Sequence, residues 1–498
     1  MRISLVRIAL WACLCAATAA LASAGAETRS ASLAAQTEPL PAALVLTDRI
    51  VVGRYAGCGV EWDPYEVHDA SGVFSDADRK RLTDRLEFMR PRLVRVMTNI
   101  ASHLDPAGRF DPARTPDDLH LILGFCQSHG ATVLLGDWGG GVVDRAAGRV
   151  RAERIDRCGE LVSYLVDTCG YDCIRYFNLV NEPNGWWSAT DGDYALWLRA
   201  ARTMEDALRR RGLGRRVTLA GPDVAVWTPA ETPWVSDCAR DLGDAVGLWD
   251  IHTYPSKVQV NSGEYSRLLA AYRTAAPAGA PMILGELGLK FVDPRDSLLA
   301  AENDRRIAAD PWASPSDSQL FVFDTGYGTD IADAVMQSAA CGYAGCVVWM
   351  LDDAMHLCEP GKLKTWGFWN ILGEERYGAD RERIRPWYYA VSLLCRYFPP
   401  RMRILASEVS GAEGVRSMFG RSAEGTTLAL VNTRSDRAVE VTLRGPVAGL
   451  AELARFTYGA RLRLDGERLL PDRRGIALRE GSRIRLEPET MLLFTSVE

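Results

Sequence analysis

Two glutamates stand where apolar β-type runs break off: Glu182 in Ile174-Arg-Tyr-Phe-Asn-Leu-Val-Asn-Glu-Pro-Asn184, and Glu286 in Pro281-Met-Ile-Leu-Gly-Glu-Leu-Gly288. A carboxylate at such a place is lifted to the rim of a sheet, and two of them can divide acid and base work on one bond. Glycosidic cleavage with retention uses a pair about 5 to 5.5 Å apart, one ionised to attack the anomeric carbon and one protonated to release the leaving oxygen. Like charges that close raise the pKa of one partner, so the pair can hold one proton near neutral pH. Either glutamate alone reads equally well as a solvated loop carboxylate.

Other residues fit the same chemistry. Asp250-Ile-His-Thr-Tyr-Pro255 puts His252 and Tyr254 two apart, facing the same way on a strand. His252 reads as a substrate or network contact, since no second histidine stands at metal spacing. Arg95, inside the apolar run Leu93-Val-Arg-Val-Met-Thr-Asn99, would be costly without a carboxylate partner. Trp349, in Val347-Val-Trp-Met350, is placed to form a platform under a sugar ring, and Trp62, Trp138, Trp186 and Trp187 add stacking surfaces on further loops. A single tryptophan is more often core than subsite; several loops each carrying one favour a carbohydrate cleft. Asp137, Asp352, Asp353 and His356 are candidate hydroxyl binders.

Only a fold that gathers the ends of distant strands at one face can bring these residues together. From about Val51 to Met350, short β-branched runs alternate with amphipathic stretches, the pattern of repeated βα units. Eight strands are expected near Val51–Cys58, Leu93–Thr98, Thr132–Gly136, Ile174–Val180, Val217–Gly221, Val246–His252, Pro281–Gly285 and Gly345–Met350. Helices are expected at Asp76–Met89, Pro116–His129, Ile155–Thr168, Asp193–Arg210, Glu264–Ala275 and Asp330–Cys341, and a last one at Pro386–Phe398. This is an α/β chain with a (β/α)8 TIM barrel over 46–398, whose catalytic candidates lie at the C-terminal strand ends. Glu182 falls after the fourth strand and Glu286 after the seventh. Over 399–498 short alternating strands predict a small all-β sandwich domain. In the segment 27–45, Leu44-Val-Leu46 is expected to add an edge strand to that sandwich. The long connection from Lys290 to Thr329 is a candidate lid or subsite wall.

Asn181-Glu182-Pro183 after the fourth strand, with Glu286 after the seventh, resembles the clan A glycoside hydrolases, barrel enzymes that retain anomeric configuration; the following Asn184 makes it similar to families 5 and 39. The resemblance covers the barrel. It implies that Glu182 is the general acid/base and Glu286 the nucleophile, that Tyr254 donates to the nucleophile, and that Arg95 pairs near it. It also implies that the Asn181 amide bonds the sugar 2-hydroxyl, which requires a local twist, because strand alternation would point Asn181 and Glu182 to opposite sides.

The chain opens with Arg2 and Arg7, an apolar stretch Ile8–Ala22, and small-x-small sites at Ala22-Ser-Ala24 and Ala24-Gly-Ala26, the features of a secretory signal peptide over 1–26. The expectation is a secreted or periplasmic protein; bulky Trp11 fits poorly in a lipid-anchor site at Cys13. No later stretch is long and apolar enough to span a bilayer. The formal charge of −6 becomes more negative once Arg2 and Arg7 leave, which argues against a nucleic-acid partner. Of twelve cysteines, ten remain in an oxidising compartment, so some pairing is expected, for instance among Cys158, Cys169 and Cys173. No metal or cofactor is expected: a metal-dependent barrel hydrolase would want His-x-His near the first strand, and Gly57-Cys-Gly-Val-Glu-Trp62 supplies none. The remaining alternative is a non-catalytic glycan-binding protein on a hydrolase barrel.

Overall fold

The computed structural model describes residues 38–65, 75–316, 318–356, 362–373, 377, 381–445 and 449–498. The signal-peptide expectation lies outside the described residues. Eight parallel strands close into a barrel in sequence order: Gly57–Glu61, Leu93–Thr98, Thr132–Asp137, Ile174–Asn178, Thr218–Val226, Val246–Thr253, Met282–Leu287 and Gly345–Val348. Helices on the outside cover the ring, so both faces of a strand are buried and its residues need not alternate; all of Leu93–Thr98 and Met282–Leu287 is buried. The helix Asp76–Met89 starts where expected because Ser75 and Asp78 form a reciprocal capping box. No helix among the described residues is long and apolar enough to cross a membrane.

The barrel interior is layered. Leu93, Leu134, Ala220, Leu248, Ile283 and Val347 fill the lower layer. Two residues further along two of these strands stand Arg95 and Asp250, both fully buried, so the layer above the apolar floor is ionisable.

Two register shifts decide what joins that layer. Against the sixth strand, Leu284 pairs with Ile251 and Glu286 with His252, so Gly285 is an extra residue. Likewise Pro222 pairs with Asp250 and Val224 with Ile251, leaving Asp223 extra. Such bulges re-aim side chains that regular alternation would send the other way.

The C-terminal region is a nine-stranded sheet in one continuous hydrogen-bonded order. The strand Leu40–Val52 lies inside it, antiparallel to Arg403–Ser410 and parallel to Val439–Arg444. The edge placement expected for Leu44-Val-Leu46 is therefore corrected to an interior one. Leu44 and Leu46 are wholly buried, and an apolar strand of thirteen residues gains more from two neighbours than from one. Val51 and Val52 belong to this strand, so the first barrel strand starts later than the apolar pattern predicts. Alternation in Thr426–Asn432 sends Leu428 and Leu430 into the sheet's own core while Ala429 and Val431 join the barrel's. The helix Thr325–Ala340 is buried on nearly every side, and Tyr458 from the sheet donates to Thr325 O at 2.7 Å.

The expected disulfides are not formed among the described residues: nine cysteines are free thiols, Cys158, Cys169 and Cys173 among them. Cys158 and Cys173 are buried and pack as small apolar groups, and the Cys173 thiol points to Leu123 O at 3.7 Å. The connection 290–329 carries the helix Ser297–Ala309 and a short 3-10 turn, Leu320–Phe323.

Candidate active site

Glu286 is brought to the barrel axis by the Gly285 bulge, and only glycine suits that place: a Cβ there would stand 2.8 Å from Asp250 Oδ2 and 3.1 Å from His252 Cδ2. Once inside, Glu286 is 2 % exposed and surrounded by donors. Arg95 Nη1 lies 2.6 Å from its Oε1, Tyr254 OH donates to its Oε2, and His252 Nδ1 is 3.3 Å from Oε1. His252 and Tyr254, two apart in the sequence, thus converge on one carboxylate.

Glu182 arrives differently. Its strand ends at Asn178, and the carboxylate stands four residues beyond, on a left-handed backbone with φ of 48°. That conformation supplies the twist that lets neighbouring side chains reach the same site, and it costs on the order of 1–3 kcal/mol. The loop is held to the fifth strand: Glu182 N–H donates to Asp223 O at 3.1 Å, and the Asn184 side chain bonds Ala225 N and O at 3.0 and 2.7 Å. His252 Nδ1 is 3.1 Å from Glu182 Oε1, and Trp187 Nε1 donates to Oε2 at 2.7 Å. One oxygen of Glu182, one of Glu286 and a His252 nitrogen all lie within 4.8 Å of each other.

Behind the pair lies a buried network. Asp223 accepts from His252 Nε2 at 3.0 Å, from Asn178 Nδ2, and from Arg95 Nη2 at 3.3 Å. Arg95 also reaches Glu61 at 3.0 Å and donates to Asn181 Oδ1 at 2.7 Å. Burial raises the carboxyls of Glu61 and Asp250 well above the usual range, which favours their neutral forms. Burial would raise Asp223 too, but the charges of His252 and Arg95 outweigh it and hold it low. Burial works against protonation of His252, yet Glu286 and Asp223 raise its pKa well above that of free imidazole. These two charges favour the imidazolium form of His252 between the two glutamates. It reverses the expectation that mutual repulsion would raise one carboxyl: burial pushes Glu182 up, but the hydrogen bond and charge of His252, then the charge of Lys290, bring it below the ordinary value.

Glu182, His252 and Glu286, and also Asp223, Asp250 and His252, are spaced as a cation's ligands could be. Both sets share one histidine, and Arg95 and Tyr254 already engage Glu286. The arrangement is thus that of a hydrogen-bonded ionic network.

Above the pair opens a cavity of about 760 Å³. Trp186, Trp187 and Trp227 form its wall beside Glu182, packed edge to face with centroids 5.7 and 5.9 Å apart. Trp138, Trp349, Trp366 and His356 form a second aromatic cluster in its lining, with the Trp349 and His356 rings 5.2 Å apart and tilted by 31°. His356 lies 3.0 Å from Asp63, and burial lowers its pKa to about 4.

Arg95, Asn181, Glu182, His252, Tyr254, Glu286, Trp138, Trp349 and His356 are gathered here. Four other candidates are not. Asp137 is buried and accepts from Ile100 and Gly139 N–H groups at 2.5 and 2.7 Å, bracing its loop. Asp352 accepts from Tyr65, Trp369 and Ile371, and Asp353 from Arg385 and Trp366, so both are struts of the last barrel loop. Trp62 is 1 % exposed and packs edge-on to Phe125. Sequence reasoning missed Asp223, Asp250, Glu61, Trp227, Lys290, Lys364 and Trp366. Glu61 was legible as a strand-end carboxylate; Asp223 needed the bulge.

No family model matches the chain, and no curated protein does. Solved structures do. A GH30 endoxylanase from Clostridium papyrosolvens aligns with a TM-score of 0.61 at 11 % identity, over 92 % of this chain and 100 % of that one. A GH39 β-xylosidase from Caulobacter crescentus gives 0.59 at 14 % identity, over 92 % and 100 %. A GH51 α-L-arabinofuranosidase from Thermotoga petrophila gives 0.59 at 13 % identity with the same coverage. The chain shares the fold of these glycoside hydrolases, barrel and β-domain together, which is the architecture implied by the clan A resemblance.

Proposed function

We propose that the protein is an exported retaining glycoside hydrolase, with Glu286 as nucleophile and Glu182 as general acid/base. The observation that carries this is the approach of the two carboxylates to within 4.8 Å, with different partners on each. That spacing suits direct attack and leaves little room for the water an inverting mechanism needs between them. Arg95, Tyr254 and His252 surround Glu286 with donors that hold its carboxyl group in place for attack.

In the resting site the proton for the leaving group sits on His252, 3.1 Å from Glu182 Oε1. As the glycosidic oxygen gains charge, Glu182 passes that proton forward; in the second half it withdraws a proton from water. Asp223 holds the far side of the imidazole. Asn181 faces the reacting ring with its Oδ1 fixed by Arg95, and Trp349 supplies a stacking face. The tryptophan wall beside Glu182 then lies on the leaving-group side.

The test is to follow a cleaved glycoside by NMR at early times, with Glu286→Gln as control. Retained configuration in the first-formed sugar, and a Glu286→Gln protein that binds glycan without cleaving it, support the reading. Net inversion, or a Glu286→Gln protein as active as the parent, overturns it. A parent that binds glycans and never cleaves them would be the non-catalytic binder instead.

A further inference from the structure

A glutamate leaves the plane of its carboxylate loosely set, because the terminal torsion is broad and roughly two-fold. One hydrogen bond does not fix it. In this site each oxygen of Glu182 has its own partner: His252 Nδ1 stands 3.1 Å from Oε1, and Trp187 Nε1 donates to Oε2 at 2.7 Å. His252 is wholly buried in the barrel, whereas Trp187 is half-exposed on the same loop as Glu182.

The loop is folded so that this second bond can form. Gly185 N–H donates to Glu182 O at 2.9 Å and Ser188 N–H to Gly185 O at 3.1 Å, two successive turns that bring residue 187 back toward residue 182. The indole then lies against Gly185, where a Cβ would overlap Trp187 Cε2 and Cζ2. Gly185 is not among the residues with a left-handed backbone, so the space taken by the indole, rather than the chain itself, calls for glycine. Trp186 and Trp227 pack edge-on against the Trp187 ring, with centroids 5.7 and 5.9 Å away, and keep it there.

We propose that Trp187 is a positioning residue for the acid/base, its indole N–H fixing the plane of the Glu182 carboxylate while its ring stays in the leaving-group wall. This deepens the proposed function and rests on its assignment of Glu182. Two anchors, one on each oxygen, turn a side chain on a surface loop into one aimed as firmly as a group inside the barrel. The same N–H stabilises the ionised carboxylate, the form that draws a proton from water in the second half-reaction. A misaimed carboxyl group is a poor proton donor even when protonated.

The experiment reads Glu182 itself. With glutamate labelled at the carboxyl carbon, the signal lost in Glu182→Gln is that of Glu182, and its titration is followed by NMR in the parent, Trp187→Phe and Gly185→Ala. Trp187→Phe keeps an aromatic face and removes the N–H; Gly185→Ala keeps the N–H and pushes the indole away. His252, Glu286, Tyr254 and Lys290 also act on this carboxyl, and neither variant replaces them. The titration should move up by about one pH unit in both variants, because an ionised carboxylate loses a donor. It should stay in place in Trp186→Phe, a change in the same wall without that bond. Rates on the phenyl and 2,4-dinitrophenyl glycosides of one sugar should split in both variants. The phenyl glycoside, whose leaving group needs a proton, should lose about 10-fold in kcat/KM, and the dinitrophenyl glycoside less than about 2-fold. Equal losses on the two glycosides would make the role merely structural and overturn the proposal. So would an unmoved Glu182 titration in either variant that folds. A shifted titration in a protein that cleaves no glycoside would leave the clamp standing and remove the hydrolase; a retaining hydrolase whose Trp187→Phe form keeps the parent's titration would remove the clamp.

Discussion

Glu286 and Glu182 share one site but are held by opposite kinds of structure. Glu286 sits within a barrel strand, 2 % exposed, with Arg95, Tyr254 and His252 around it. Glu182 sits past the end of its strand on a left-handed residue, in a loop that carries the exposed Trp186 and Trp187. A nucleophile must meet one carbon along one line, so a strand between two strands suits it. An acid/base must serve a leaving group and later a water, and a loop beside open space suits that. On the proposed assignment, position in the fold divides the labour between two side chains of one type.

The largest test of this contrast is the pair of amide variants. Glu286→Gln should lower kcat by upwards of about 10⁴-fold on every substrate, since the attacking group is gone. Glu182→Gln should cost about 10² to 10⁴-fold on natural glycosides and much less on aryl glycosides whose leaving groups need no proton. Equal losses on both substrate types would erase the distinction.

Next comes the histidine between them. Asp223→Asn removes a carboxylate that raises the His252 pKa, so the alkaline limb of the kcat/KM profile should move to lower pH, with a rate loss of about 10²-fold from misplacement. An unmoved limb would take the proton away from His252. The stability effect has a definite sign. A raised folded pKa contributes fully below about pH 6.5 and is lost as pH rises through the folded value. The melting temperature should therefore decline on the alkaline side, and by less in His252→Gln.

The smallest effect is at the bulge. Gly285→Ala places a methyl against Asp250 and His252 and should destabilise by about 1–3 kcal/mol in chemical denaturation. It should impair Glu286 more than Glu182, seen as a lower rate of glycosyl-enzyme formation with little change in its hydrolysis. A neutral Gly285→Ala would mean that the bulge is not what aims the nucleophile.

Much of this was legible. Leu93–Thr98, Asp76–Met89 and Glu264–Ala275 fall where the pattern predicts, because runs of β-branched residues and capped amphipathic stretches are local signals. Arg95 announced a buried partner by its cost alone. The strand Leu40–Val52 was seen only as a fragment at an edge, because nothing local reveals that two distant strands flank it. Asp137, Asp352 and Asp353 looked like sugar ligands because sequence says that a carboxylate is near a strand end, and their use as loop struts depends on neighbours far along the chain. Asp223 and Lys290 were missed for the same reason.

The sequence by itself determined the eight βα units, a glutamate beyond the fourth strand and another near the end of the seventh, and the aromatic loops above them, since each follows from short-range periodicity and residue chemistry. Only the tertiary structure decided which way those side chains face. The extra residues at Asp223 and Gly285 exist only relative to the neighbouring strand, and a shift of one residue in pairing turns a side chain from one face of a sheet to the other.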